Sequence, residues 1–269
     1  MSVEVTQDSL EKPEDAAPVP LETLRIVVAG DLGSGKSAVI NSLLRKELMP
    51  RFFGQDWRPA VLIRYGVTQQ LVYHTRDGKT VGVSDWSEIK DVRDVNLCEI
   101  VIDRPHMKGF EIVELPFFHD GRLLEDAVDF IAHSHVLIWV TISSQAWRLT
   151  EKESLEKLAT AKKPQRILAV SRADKLRTEE HCGLIRDRLT KETDDYFSDI
   201  VFMHSNRDTI RKSESSKSDW ERTRGALMFE KLERIRANCK EDEDETIVQL
   251  PSEDDIVVPM THWKSVRSL

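Results

Sequence analysis

The feature that most constrains this chain is the run Gly30-Asp31-Leu32-Gly33-Ser34-Gly35-Lys36-Ser37. It lies between an apolar segment, Leu24 to Ala29, and a segment in which Val39, Ile40, Leu43 and Leu44 recur at helical spacing. The run has the form G-x-x-x-x-G-K-[S/T], and a strand before it with a helix after it is the setting in which such a run folds as a phosphate-binding loop. Glycines let successive backbone N–H groups converge on phosphate oxygens, and the amino end of the helix adds partial positive charge. Gly30, Gly33, Ser34, Gly35 and Ala38 therefore enter as contacts to the nucleotide. Lys36 enters as the cation for the β- and γ-phosphates, also a candidate catalytic group, and Ser37 as a hydroxyl ligand of Mg²⁺. The competing reading, a plain glycine turn, is disfavoured by the strand and helix on either side.

Such a loop belongs in an α/β frame, and the rest of the chain has that pattern. Apolar runs predict strands at 60–74, 79–83, Cys98–Asp103, Phe110–Glu114, Val136–Thr141, Arg166–Val170 and Ile200–His204. Asp77-Gly78 favours the backbone angles of a tight hairpin between the first two of these. Helical periodicity predicts helices at Ser37–Leu48, near Ser84–Val95, at about Asp120–His133, at Thr150–Ala161, at Thr178–Lys191 and over one long stretch, Lys217–Asn238. The alternation implies a three-layer domain, a mostly parallel sheet with helices on both faces and an extra β-hairpin. Ligands of such sheets bind at the carboxyl ends of the strands.

The strand at Ile167–Val170 ends in Ser171-Arg172-Ala173-Asp174, where guanine-binding proteins carry [N/T]-K-x-D. A carboxylate there accepts hydrogen bonds from the guanine N1–H and 2-amino groups, which adenine does not offer, so ATP leaves it unpaired. Arg172 keeps a long aliphatic stem able to pack on a base, and Ser171 keeps a small hydrogen-bonding group. An aspartate after a buried strand also serves as an ordinary helix cap. Ser205, in His204-Ser205-Asn206 after the last strand, is a candidate for a further contact to the base.

These residues together resemble the G domain of dynamin-like GTPases, over roughly residues 22–238. The loop followed by AVINSLL is similar to that family's first motif and helix. Gln55-Asp56-Trp57-Arg58-Pro59 falls where the family carries V-T-R-R-P, Glu114-Leu115-Pro116-Phe117 where it carries D-T-P-G, and residues 141–146 and 149–153 resemble the stretch after its fourth strand. The resemblance implies GTP and GDP as ligands, Mg²⁺ as cofactor and dimerisation across the nucleotide face. It also implies Asp56 in place of the switch threonine and Glu114 in a water-mediated hold on the metal. Arg58 is a candidate arginine finger, and Trp57 a nucleotide-sensitive residue. Phe117 replaces a glycine that meets the γ-phosphate, and Leu32 and Gly33 stand where many dynamins carry a glutamine and a serine. Binding survives these departures better than hydrolysis does.

Charge sharpens the boundaries. Of 47 acidic and 39 basic residues in a chain of 269, residues 21–239 hold 34 and 35, so the net charge of −8 lies in the ends. The expected division is an acidic, proline-containing leader at 1–20, the G domain at 21–239 and an acidic tail at 240–269. The tail keeps short apolar runs that suit docking either on the domain itself or on a protein partner. The net charge of −8 argues against nucleic acid as the main partner, since phosphate binding needs a concentrated positive face. No apolar stretch has the roughly 20 residues of a membrane span, and Cys98, Cys182 and Cys239 lack disulfide or metal spacing, which together suggest a cytoplasmic protein. His133 and His135 precede a strand without a third ligand, and the bases of Lys217–Lys240 interleave with acids as on a solvated face. The helical bundles that follow the G domain in dynamin-like proteins have no counterpart in residues 240–269, so membrane remodelling is not expected of this segment.

The leading expectation is a guanine-nucleotide-binding protein that hydrolyses GTP slowly or on dimerisation. Two readings stand beside it: a pseudo-GTPase serving as an interaction module, and an ATP-binding P-loop protein in which Ser171–Asp174 is accidental.

Overall fold

A computed structural model describes residues 22–50, 58–116, 127–128, 130–158, 164–176 and 178–239. Among them one sheet holds nine strands: β1 (Leu24–Ala29), β2 (Ala60–Tyr65), β3 (Gln70–Thr75), β4 (Thr80–Val83), β5 (Val95–Ile102), β6 (Phe110–Glu114), β7 (Val136–Ile142), β8 (Gln165–Ser171) and β9 (Asp199–Phe202), in the order β4-β3-β5-β2-β6-β1-β7-β8-β9. β6, β1, β7, β8 and β9 run parallel to one another, and β2 pairs antiparallel with β6 but parallel with β5. The expected hairpin is β3–β4, turned through Asp77-Gly78.

Alternation along the strands builds the layers, because successive side chains point to opposite faces. In β1, Ile26 and Val28 join one core with Val39, Ile40, Leu43 and Leu44 of α1 (Lys36–Leu44) and Met228, Leu232 and Ile235 of the last helix. Val27 and Ala29 join the other, with Leu155 of α2 (Leu149–Lys157) and Leu189 of α3 (Glu179–Thr193). β7 lies between them, and Val136 to Val140 are entirely buried. A strand covered on both faces reads as an uninterrupted apolar run, and VLIWV is one. The three-layer, mostly parallel fold with its extra hairpin is therefore as the sequence implies.

Several elements differ from expectation. The strand at 60–74 is two, β2 and β3, parted at Gly66–Gln69. The stretch Ser84–Val95 holds two single 3₁₀ turns, Trp86–Glu88 and Val92–Asp94, each begun by an aspartate that accepts a backbone N–H. α1 ends at Leu44, because Arg45 turns to a φ of 55° and Asn41 Oδ1 then accepts the N–H groups of Leu48 and Met49 at 2.9 and 3.1 Å. The long helix at Lys217–Asn238 is two, α5 (Lys217–Thr223) and α6 (Gly225–Asn238), with Arg224 at a φ of 64° between them. The short α4 (Arg207–Lys212), capped by Asn206, was not foreseen. The amino-terminal part of the helix expected at Asp120–His133, the leader and the tail lie outside the described residues.

Candidate functional site

The phosphate loop joins β1 to α1 at the carboxyl edge of the sheet. Gly30 and Gly35 have φ of 141° and 100°, and a Cβ on them would come within 2.3 Å of Val140 O and 2.8 Å of Ser171 Oγ, so only glycine fits either place. Gly35 also stands at the N-cap of α1, and no described side chain caps that helix, so its first amides remain suited to an anion. Ser34 is buried, its Oγ without a hydrogen-bond partner among the described residues. Ala38 donates its N–H to Gly35 O at 3.0 Å within the first turn of the helix.

Lys36 Nζ donates to Gly30 O at 2.8 Å and Asp31 O at 3.1 Å. Burial holds its pKa below the ordinary lysine value, with the Glu114 carboxylate opposing that fall and Arg58 reinforcing it. Ser37 Oγ donates to Glu114 Oε1 at 3.1 Å. Burial raises the Glu114 pKa, against the pull of Lys36, the Ser37 hydroxyl and Arg58. The Arg58 side chain therefore acts electrostatically on both Lys36 and Glu114. A hydroxyl and a carboxylate side by side at the start of α1 are hard oxygen donors, the chemistry that Mg²⁺ takes beside phosphate and water.

The residues read as base contacts gather beside the loop. Ser171 is buried and donates its hydroxyl to Ser34 O, so it fastens the loop to β8. Arg172 turns at a φ of 55°, and its guanidinium donates to Gly33 O at 3.0 Å. Asp174 Oδ1 accepts the N–H of Ser205 at 2.8 Å, and Ser205 Oγ accepts the N–H of Arg172 at 3.0 Å. The Ser171–Asp174 turn and the Ser205 segment are thus one hydrogen-bonded unit. Ser143 Oγ donates to Arg172 O at 2.9 Å and ties that unit to the end of β7.

Among the sequence candidates, Gly30, Gly33, Ser34, Gly35, Lys36, Ser37, Ala38, Arg58, Glu114, Ser171, Arg172, Asp174 and Ser205 neighbour one another at one edge of the sheet. Asp56 and Phe117 fall outside the described residues. His135 is not near this edge: its Nδ1 accepts the N–H of Arg25 at 2.9 Å, capping the start of β1. Two side chains beside the loop had no place in that reading. Arg148 forms an ion pair with Asp31, and Glu151 accepts the Arg148 N–H at 2.9 Å and the Thr141 hydroxyl at 3.0 Å. The sequence carried no signal for the pair, because its partners stand 117 residues apart.

A phosphate loop at the edge of a mostly parallel sheet, with a carboxylate turn beside it, defines a nucleotide-binding protein of the P-loop α/β class. The dynamin family model matches residues 26–174, more than half of the chain, and the chain belongs to that family. A bacterial dynamin-like protein of Nostoc punctiforme is 25% identical over 153 residues, which are 49% of this chain and 22% of that protein. A solved structure described as an oligomerised bacterial dynamin pair that provides a mechanism for long-range sensing and tethering of membranes aligns at a TM-score of 0.60, with 15% identity over 79% of this chain and 34% of that one. A second structure of the same description aligns at 0.57. The chain thus spans about a fifth of the curated relative and about a third of the solved structures. Among the described residues no helix is long and apolar enough to cross a membrane.

Proposed function

We propose that this chain is a guanine-nucleotide-binding member of the dynamin family that takes Mg²⁺ with its nucleotide and hydrolyses GTP slowly, faster when two copies meet at the nucleotide face. The observation that carries the guanine reading is the Asp174 turn, fixed by Ser205 and bridged by Arg172 to the phosphate loop at Gly33 O. That bridge fixes the distance between base reader and phosphate cradle, which a specific nucleotide site requires. Lys36 compensates the β- and γ-phosphates, and Ser37 and Glu114 hold the metal, directly or through water. Asp56 remains a proposed switch residue and Arg58 a proposed source of positive charge, the latter supported by its action on Glu114 and Lys36.

One observation favours a second reading, nucleotide binding without hydrolysis. Leu32, in the loop position where many dynamins carry a glutamine, is 56% exposed and offers no group that could orient water. Titration with fluorescent GTP, GDP and ATP in Mg²⁺, with phosphate release followed at low and high protein concentration, separates the readings. Guanine-selective binding with release that rises per molecule with concentration is the expected result. Selective binding with no release supports the second reading, and no preference for guanine overturns both. Lys36→Ala should abolish binding while leaving the fold.

A further inference from the structure

We propose that Arg148 is a positioning residue for the nucleotide: by pairing with Asp31 it removes a negative charge from the mouth of the phosphate loop. The inference rests on the reading that this site binds guanine nucleotide. Asp31 serves the loop twice through its backbone carbonyl, which accepts Lys36 Nζ and the N–H of Ser34, each at 3.1 Å. The residue that helps hold the phosphate-binding lysine therefore also carries a carboxylate at the loop. Left alone, that carboxylate opposes a polyanion. Arg148 Nη2 donates to its Oδ2.

Arg148 is aimed by its surroundings. It precedes α2, where Glu151 Oε2 accepts its N–H at 2.9 Å. Glu151 is 1% exposed and is held in turn by the Thr141 hydroxyl, which accepts the N–H of Trp147 at 3.2 Å. Trp147 is buried at a φ of 61° against Tyr196 and Phe197, with ring centroids 5.4 and 5.2 Å away. The chain entering Arg148 is thus fixed to the core, while its guanidinium reaches Asp31. An isolated exposed ion pair is worth little. This one is anchored at one end by a buried network and at the other by the phosphate loop.

Charge arithmetic gives the size. An unpaired carboxylate within about a Debye length of a polyphosphate, at an effective dielectric of about 20 and with salt screening, changes affinity by about tenfold. The effect grows with the charge of the ligand, so GTP suffers more than GDP.

The test is a two-residue cycle in the full chain: Arg148→Ala, Asp31→Asn and the double variant, each titrated with fluorescent GTP and GDP in Mg²⁺. Arg148→Ala should weaken GTP by about tenfold and GDP by less. Asp31→Asn added to it should bring GTP affinity back to within about threefold of the unaltered chain, and Arg148→Lys should keep most of the affinity. Local unfolding cannot mimic this, because removing a second charged group does not rebuild a collapsed loop. If the double variant binds as weakly as Arg148→Ala, Arg148 acts on the nucleotide itself and the inference fails. Guanine nucleotide binding by the unaltered chain with no response to Arg148→Ala also overturns it and leaves the functional reading standing. No guanine nucleotide binding by the unaltered chain overturns the functional reading, and this inference with it.

Discussion

Gly35 shows how much a single backbone position settles. Its φ of 100° belongs to glycine, and a Cβ would meet the Ser171 side chain at 2.8 Å, where Ser171 donates to Ser34 O. Gly35→Ala therefore strains the backbone by about 1–3 kcal/mol and drives Ser171 off the loop. The expected outcome is a lowered thermal midpoint together with a loss of nucleotide affinity, read by melting and titration of the same sample. Cys98 offers a second check at this scale. It is fully buried on β5, and burial pushes its thiol up to about 12. Only the thiolate alkylates. Iodoacetamide at pH 8 should therefore spare Cys98 in the folded protein and label it after denaturation, as peptide mapping would report. A folded protein labelled rapidly at Cys98 would contradict the packing of this sheet.

Among the elements, α1 is held at its carboxyl end by side chains far along the chain. Its terminal carbonyls have no partners within the helix, and here others supply them: Trp220 Nε1 donates to Ser42 O at 2.9 Å, and His106 Nε2 sits 3.0 Å from Leu43 O. Trp220 and His106 also contact each other and Phe229. Burial first, then Arg45 and Arg104, lower the His106 pKa. The unfolded chain then binds the extra proton more readily, so stability is lost as pH falls through the ordinary histidine value of about 6.5. Thermal midpoints between pH 7.5 and 5.5 should fall less steeply in His106→Gln than in the unaltered chain. Buried Glu114 and Glu151, whose raised values act in the opposite sense, are common to both proteins, so the difference isolates His106. The same contacts explain what was legible in the sequence. Strands and the phosphate loop were readable because apolar runs and glycine placement are local. The break between α5 and α6 was not, because it answers to α1: a Cβ at Gly225 would stand 2.5 Å from Ser42 O and from Trp220 Nε1. In the candidate site, Lys36, Ser37 and Asp174 are candidates from motif spacing, whereas Arg148 and Asp31 meet only through the fold.

At the scale of the molecule, nucleotide binding and folding are one equilibrium. A ligand that binds only the folded state stabilises it by about 2.7 kcal/mol at a hundredfold excess over its Kd, a rise in Tm of about 5–10 °C for a domain of this size. GTP and GDP should produce that rise and ATP should not, by scanning fluorimetry in Mg²⁺. Equal shifts with ATP would remove the guanine assignment of Asp174. The placement of β1 has a separate consequence. It lies between β6 and β7, so its two neighbours are Phe110–Glu114 and Val136–Ile142. During synthesis β1 leaves the ribosome before either neighbour and must wait for both. At about 5–20 residues per second, an apolar strand stays unpaired for several seconds, long enough for a chaperone to reach it. Glu114 then arrives with β6, and Asp174 and Ser205 follow later still. A nascent chain therefore acquires its phosphate loop before the Asp174 turn proposed to read the base.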